Sequence, residues 1–148
     1  MVPLIALVVV TLAARGGGWL GWEYTATWPA AAAVGLAAMF VVTGVAHFVQ
    51  PLRSGLVAIV PPKLPHPGLL VTVTGVLELL GAVGLLIPAT RVAAAVCLAL
   101  LMVAMFPANV YAAGAKRSEH APSTPLVPRT LMQVLFLAGA TLVAVGSV

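Results

Sequence analysis

Aspartate is absent from this 148-residue chain, and its acids reduce to Glu23, Glu78 and Glu119. Charged residues of both signs make up only 7% of it, against roughly 25% in an ordinary soluble domain. So sparse a supply of charge cannot cover a water-facing surface. Cysteine occurs once, at Cys97 inside an apolar run, which rules out an internal disulfide and a CxxC redox pair. The longest basic run is Lys116-Arg117. Without a basic face interleaved with aromatics, the net charge of +4 does not point to nucleic acid. No Gly-rich phosphate loop precedes a helix, and Ser54, Ser118, Ser123 and Ser147 stand in no nucleophile motif. His66 and His120 fall in expected loops, so His47 has no buried partner with which to ligate a haem. A lone Glu with a lone His makes no metal site either.

What the chain does have is apolar length, since 62% of its residues are hydrophobic. An apolar run of about 20 residues crosses a bilayer as a helix. Segments 28–50, 67–88, 90–113 and 126–148 meet that length. They are rich in Ala, Leu and Gly and show no strict alternation, which argues against strands. Backbone in lipid must satisfy its own hydrogen bonds, which leaves helices. The expected fold is all-α, a transmembrane bundle of four core helices with a further short N-terminal helix left open. Residues 1–27 then form an apolar segment and interfacial linker, and residues 28–148 form the membrane domain.

The apolar stretch 2–14 reads in two ways. It resembles the apolar part of a cleaved signal, although no Lys or Arg precedes it. It also suits a fifth helix running toward Trp22 with Arg15 snorkelling to the interface, and that reading is preferred. Trp19, Trp22, Tyr24 and Trp28 gather at its end, as aromatic belts do at a membrane boundary. Regions 51–66 and 114–129 lie on one side and carry Arg53, Lys63, Lys116, Arg117 and Arg129; the other side has only Arg15 and Arg91. The excess of positive charge predicts a multi-pass cell-membrane protein with both regions in the cytoplasm. Pro61, Pro62, Pro65 and Pro67 predict a stiff, extended stretch there, either a plain connector or a lid over the mouth of the bundle.

Polar side chains inside a span are costly and mark candidate sites. His47, Asn109, Arg129 and Gln133 are expected at one depth, roughly 5–10 Å inside the cytoplasmic face. Glu78 lies deeper. Gly75, Gly81 and Thr74 share its helix face, as Gly44 and Thr43 share that of His47, and small residues on a face allow helices to approach. Both polar side chains should therefore point into the bundle. Pro107 denies the carbonyl of Val103 its helical partner and should expose an acceptor near Asn109. The five side chains His47, Glu78, Asn109, Arg129 and Gln133 form the candidate ligand site, with no metal expected. Each of them could instead serve packing alone.

The order of short motifs resembles the DoxX-like family of small bacterial membrane proteins. The resemblance is carried by Gly44 to Phe48 with Pro51, by Val60-Pro61-Pro62 with Leu64-Pro65, and by Thr74-Gly75 with Glu78, Gly81 and Gly84 to Pro88. Thr90-Arg91, Phe106-Pro107 with Asn109, and Pro128-Arg129 with Gln133 complete it. It covers about residues 35–136. It implies a four-helix membrane bundle and a quinone- or redox-linked role, because founding members resemble a small subunit of a thiosulfate:quinone oxidoreductase. The expectation is an accessory subunit binding a lipophile, a quinone or a lipid, without its own metal or haem. A redox partner protein would supply electrons. Membrane lipids are the other partners, and a homo-oligomer is left open by the small-residue stretch Ala30 to Ala38. Two alternatives stand beside this: a bundle with a purely structural role, and a lipid-acting isomerase using Glu78 and His47 as proton carriers.

Overall fold

Prolines punctuate the helices. Pro3, Pro29 and Pro67 sit in the first turn of theirs, where an N–H has no intrahelical partner to lose. The computed structural model describes residues 1–122 and 124–147. The elements are α1 (Val2–Trp19), a 3-10 turn (Glu23–Thr25), α2 (Trp28–Ala46), α3 (Leu52–Ala58), α4 (Pro67–Leu86), α5 (Arg91–Gly114) and α6 (Leu126–Gly146), with no strand among the described residues. Thr27 caps α2 by accepting a hydrogen bond from the Ala30 N–H at 3.4 Å. Ser123, and Val148 at the end of the expected fourth span, lie outside the described residues.

Five of these helices, α1, α2, α4, α5 and α6, are long and apolar enough to cross a membrane. Their outer faces carry Val73, Val76, Leu80 and Val83 on α4, and Val96, Leu100 and Val103 on α5, all exposed. A water-soluble protein rarely exposes so continuous an apolar surface. The chain is a multi-pass membrane protein whose lipid tails take the place of water.

The helices run alternately up and down. α2 packs on α4, α4 on α5, α5 on α6, and α6 back on α2, which closes a four-helix ring. α2 is the hub, with 56% of its membrane-length stretch buried. Leu36, Met39 and Phe40 of α2 meet Leu85, Leu98 and Val143 in the core. The N-terminal helix α1 is the added fifth. It lies along α2 outside the ring, and only 11% of it is buried. Gly35 makes that contact close: a Cβ there would sit 1.9 Å from Thr11 Oγ1 and 2.7 Å from the Leu7 carbonyl oxygen.

Three boundaries differ from expectation. The first core span stops at Ala46 instead of residue 50, so His47 caps the helix and does not lie three residues inside it. The 51–66 region is no plain loop, because Leu52–Ala58 forms the short helix α3. Seven residues are too few to show a helical period in sequence, and tertiary anchors hold α3 in place. The proline stretch is not uniformly extended either. The Leu64 N–H bonds back to the Pro61 carbonyl at 2.9 Å, and His66 takes a left-handed φ of 51° that turns the chain into α4.

Candidate functional site

The candidate side chains fall into two groups, one on each side of α3. The first lies between α2 and α4. Gly75 of α4 faces His47, whose Cβ would be 2.5 Å from an added Cβ, and Gly44 of α2 faces Leu79 and Glu78. These glycines let the two helices close, and the side chains beside them are buried: His47 is 3% exposed and Glu78 4%. Thr43 joins them. Its hydroxyl donates to Glu78 Oε2 at 2.5 Å, and its carbonyl oxygen lies 2.8 Å from His47 Nδ1. A carbonyl can only accept, so Nδ1 carries a proton; in the neutral ring Nε2 is then the free acceptor. Thr74 does not reach Glu78. Its hydroxyl bonds back to Leu70 and Val71 of its own helix. Gly81 faces Leu98 of α5, not α2.

Arg53 of α3 locks this group from the loop side. It donates to the His47 carbonyl at 2.7 Å, the Gly68 carbonyl at 3.1 Å and Thr72 Oγ1 at 2.9 Å. One guanidinium therefore ties the end of α2 to the first turns of α4. From sequence, Arg53 shows only as a loop charge. Its place two residues after Pro51, where a span has just ended, was the available signal. Thr43 was read only as a small neighbour of His47, and its hydroxyl was the signal.

The second group lies between α5 and α6. Arg129, 8% exposed in the first turn of α6, donates through Nη1 to Asn109 Oδ1 at 3.0 Å. Its Nη2 reaches the Pro122 and Thr124 carbonyls at 3.1 and 3.2 Å, and its Nε reaches Thr124 again at 3.3 Å. One turn further along, Gln133 donates to the Met102 carbonyl at 2.8 Å. α5 runs through Pro107 without a break. The acceptor that Gln133 uses is thus the neighbour of the expected Val103 carbonyl. Asn109 accepts from Arg129 through its oxygen, leaving its NH2 end as a donor.

Two cavities open at this end of the bundle. One, of about 500 Å³, is lined by Thr43, Asn109, Arg129 and Gln133 with apolar Val42, Leu52, Leu56, Met132 and Phe136. The other, of about 510 Å³, is lined by His47, Thr74 and Lys63 with Ile59, Leu70, Val71 and Met105. Pro61 and Leu64 belong to the second cavity's wall. The five candidates therefore do not surround one cavity. Asn109, Arg129 and Gln133 share the first, His47 borders the second, and Glu78 lines neither. Leu56 of α3 lines both. Among the described residues no three His, Cys, Asp or Glu side chains gather as a metal-binding group.

The opposite end is built from the aromatic residues. Trp19 and Trp28 meet edge to face at 6.4 Å, with Arg15 over both rings. Tyr24 donates its hydroxyl to the Leu86 carbonyl and lies 5.2 Å under the guanidinium of Arg91. From sequence, Arg91 counts only as one of the two basic residues on this side. It is 8% exposed and donates to the Leu85 carbonyl at 3.0 Å.

Fold and site together define a multi-pass helix bundle with two cavities at one end. Residues 36–144 match the family described as "Domain of unknown function (DUF8561)", and the chain belongs to that family. The matched span begins inside α2 and includes all five candidate side chains, but it leaves α1 outside. No curated protein and no solved structure matches the chain.

Proposed function

We propose that the protein binds a membrane-dissolved lipophile, a quinone or a lipid, in the cavity between α2, α5 and α6, and serves a redox system as an accessory subunit. The observation that carries this reading is the convergence of Asn109, Arg129 and Gln133, with Thr43, Thr124 and His120 also in the wall, on one largely apolar cavity of about 500 Å³. Small-molecule sites have this volume and this pattern, an apolar wall with a few placed polar groups. The redox part of the proposal rests on the DoxX-like order of motifs, and the electrons would come from a partner protein. The orientation belongs to the same proposal: the cavity end, with Arg53, Lys63, Lys116 and Arg117, faces the cytoplasm of a bacterial cell.

The competing reading is a bundle whose polar groups serve only its own packing. It draws support from the hydrogen bonds within the chain that each of the five side chains already makes. Solvent extraction of purified protein followed by mass spectrometry separates the two. A bound lipophile is expected in the wild type and is lost in Ala46→Phe, which fills the cavity wall. An empty extract, or the same molecule at the same level in the filled variant, would sink the binding reading.

A further inference from the structure

The chemistry around Arg129 narrows the ligand, on the footing of the binding reading above. The hydrogen-bond partners of Arg129 among the described residues are all uncharged oxygens, those of Asn109, Pro122 and Thr124. Four bonds leave one of the five guanidinium N–H groups over, and they leave the positive charge without a counter-charge. A cation held at this depth is costly unless an anion or water offsets it. The chain has little to offer. Glu23 is at the aromatic end, Glu78 is bonded to Thr43, and Glu119 is exposed in the loop.

Other arginines in this chain also bond to carbonyls, but their surroundings differ. Arg53 is spent on three oxygens between α2 and α4 and lines neither cavity. Arg91 and Arg117 have an aromatic ring under the guanidinium, Tyr24 at 5.2 Å and Tyr111 at 3.7 Å, and a ring face offsets part of a positive charge. Arg129 has open space beside it. It also stands in the first turn of α6, where the helix dipole favours negative charge. Beyond its polar corner, and apart from Thr43 and His120, the rest of the cavity wall is apolar, with Val42, Leu56, Met132 and Phe136. We infer that the cavity holds a single-chain amphiphile whose oxyanion headgroup, a carboxylate or a phosphate, pairs with Arg129 while its chain lies against that apolar wall.

Ligand head and protein charge can be varied separately. In detergent, purified protein is titrated with palmitate, lysophosphatidate, methyl palmitate, a short-chain quinone and inorganic phosphate, and binding is followed by thermal shift and by competition. Saturable binding of palmitate or lysophosphatidate is expected, at least about tenfold tighter than methyl palmitate or quinone, the scale of one charge-assisted hydrogen bond. The tighter of the two acids identifies the headgroup source. Arg129→Gln should remove that preference, and Arg129→Lys should restore part of it. Equal binding of ester and acid, or tighter binding of quinone, overturns the inference while leaving lipophile binding intact. Inorganic phosphate binding as tightly as the lipids also overturns it. If no lipophile of any head binds, the binding reading itself fails. The comparison of heads on wild-type protein decides the question even where Arg129→Gln does not fold.

Discussion

At the aromatic end of the bundle, Arg91 is wedged between the Leu85 carbonyl and the ring of Tyr24, and Tyr24 is itself tied to Leu86. At the loop end, Arg129 is equally buried but borders a cavity of about 500 Å³. The same side chain thus closes one end and furnishes the other. Helices in lipid gain nothing from hiding apolar surface from water, so packing and polar contacts must hold them. The aromatic end uses large rings to fill its space. The loop end has glycine contacts at Gly44 and Gly75, a small α3 and short loop pieces, and space is left over. A buried arginine is a fastening in the first setting and a recognition group in the second.

The two ends lose their difference most completely if the loop end can no longer close. Gly75→Val would drive new atoms into His47 at a position where even a Cβ has only 2.5 Å. Overpacking of this kind costs about 1–3 kcal/mol, and thermal unfolding in detergent should show it together with loss of any bound lipophile. Unchanged stability would mean that α2 and α4 are not pressed together. Thr43→Val ranks next, because it leaves the buried Glu78 carboxyl without its 2.5 Å partner at about 1–3 kcal/mol. Thr43→Ser should recover most of that loss in the same unfolding assay. At the other end Tyr24→Phe removes one hydroxyl bond to Leu86 and should cost only about 1 kcal/mol. Lipophile occupancy should stay unchanged in that variant; a drop would mean that the two ends are coupled.

Much of this architecture was legible in the sequence because hydrocarbon is a demanding solvent. Residues 67–88 and 90–113 had to be helices, and they are, to within two residues at each end. The glycine faces placed His47 and Glu78 inward for a steric reason, and Gly44 and Gly75 bear that out. The grouping was not legible. Depth along a helix can be counted from residue numbers, but which neighbour a face meets depends on how the helices close. Asn109 and Arg129 meet across α5 and α6, whereas His47 turns toward another cavity. α3 was hidden for a different reason. Its seven residues are held by Arg53 and by the contact of Gly55 with His120, where an added Cβ would come within 2.1 Å of the carbonyl oxygen. Neither anchor leaves a periodic trace.

The smallest expected effect concerns the wall inside the loop end. Leu56 lines both cavities and is only half-buried, so part of its side chain borders open space while the rest packs on Ile59, Ala112 and Ala121. Truncation to alanine then forfeits fewer contacts than in a packed core, and Leu56→Ala should cost about 1 kcal/mol or less. Its consequence is geometric. Without the isopropyl group the two spaces of about 500 and 510 Å³ should join, which would bring His47 within reach of a ligand anchored at Arg129. Longer-chain lipophiles should then gain a few-fold in affinity over shorter ones, because added methylenes find apolar wall worth about 0.8 kcal/mol each when fully buried. The chain-length series is measured on both proteins. If the wild type and Leu56→Ala rank the chains alike, α3 is no partition, and the two polar groups belong to separate sites.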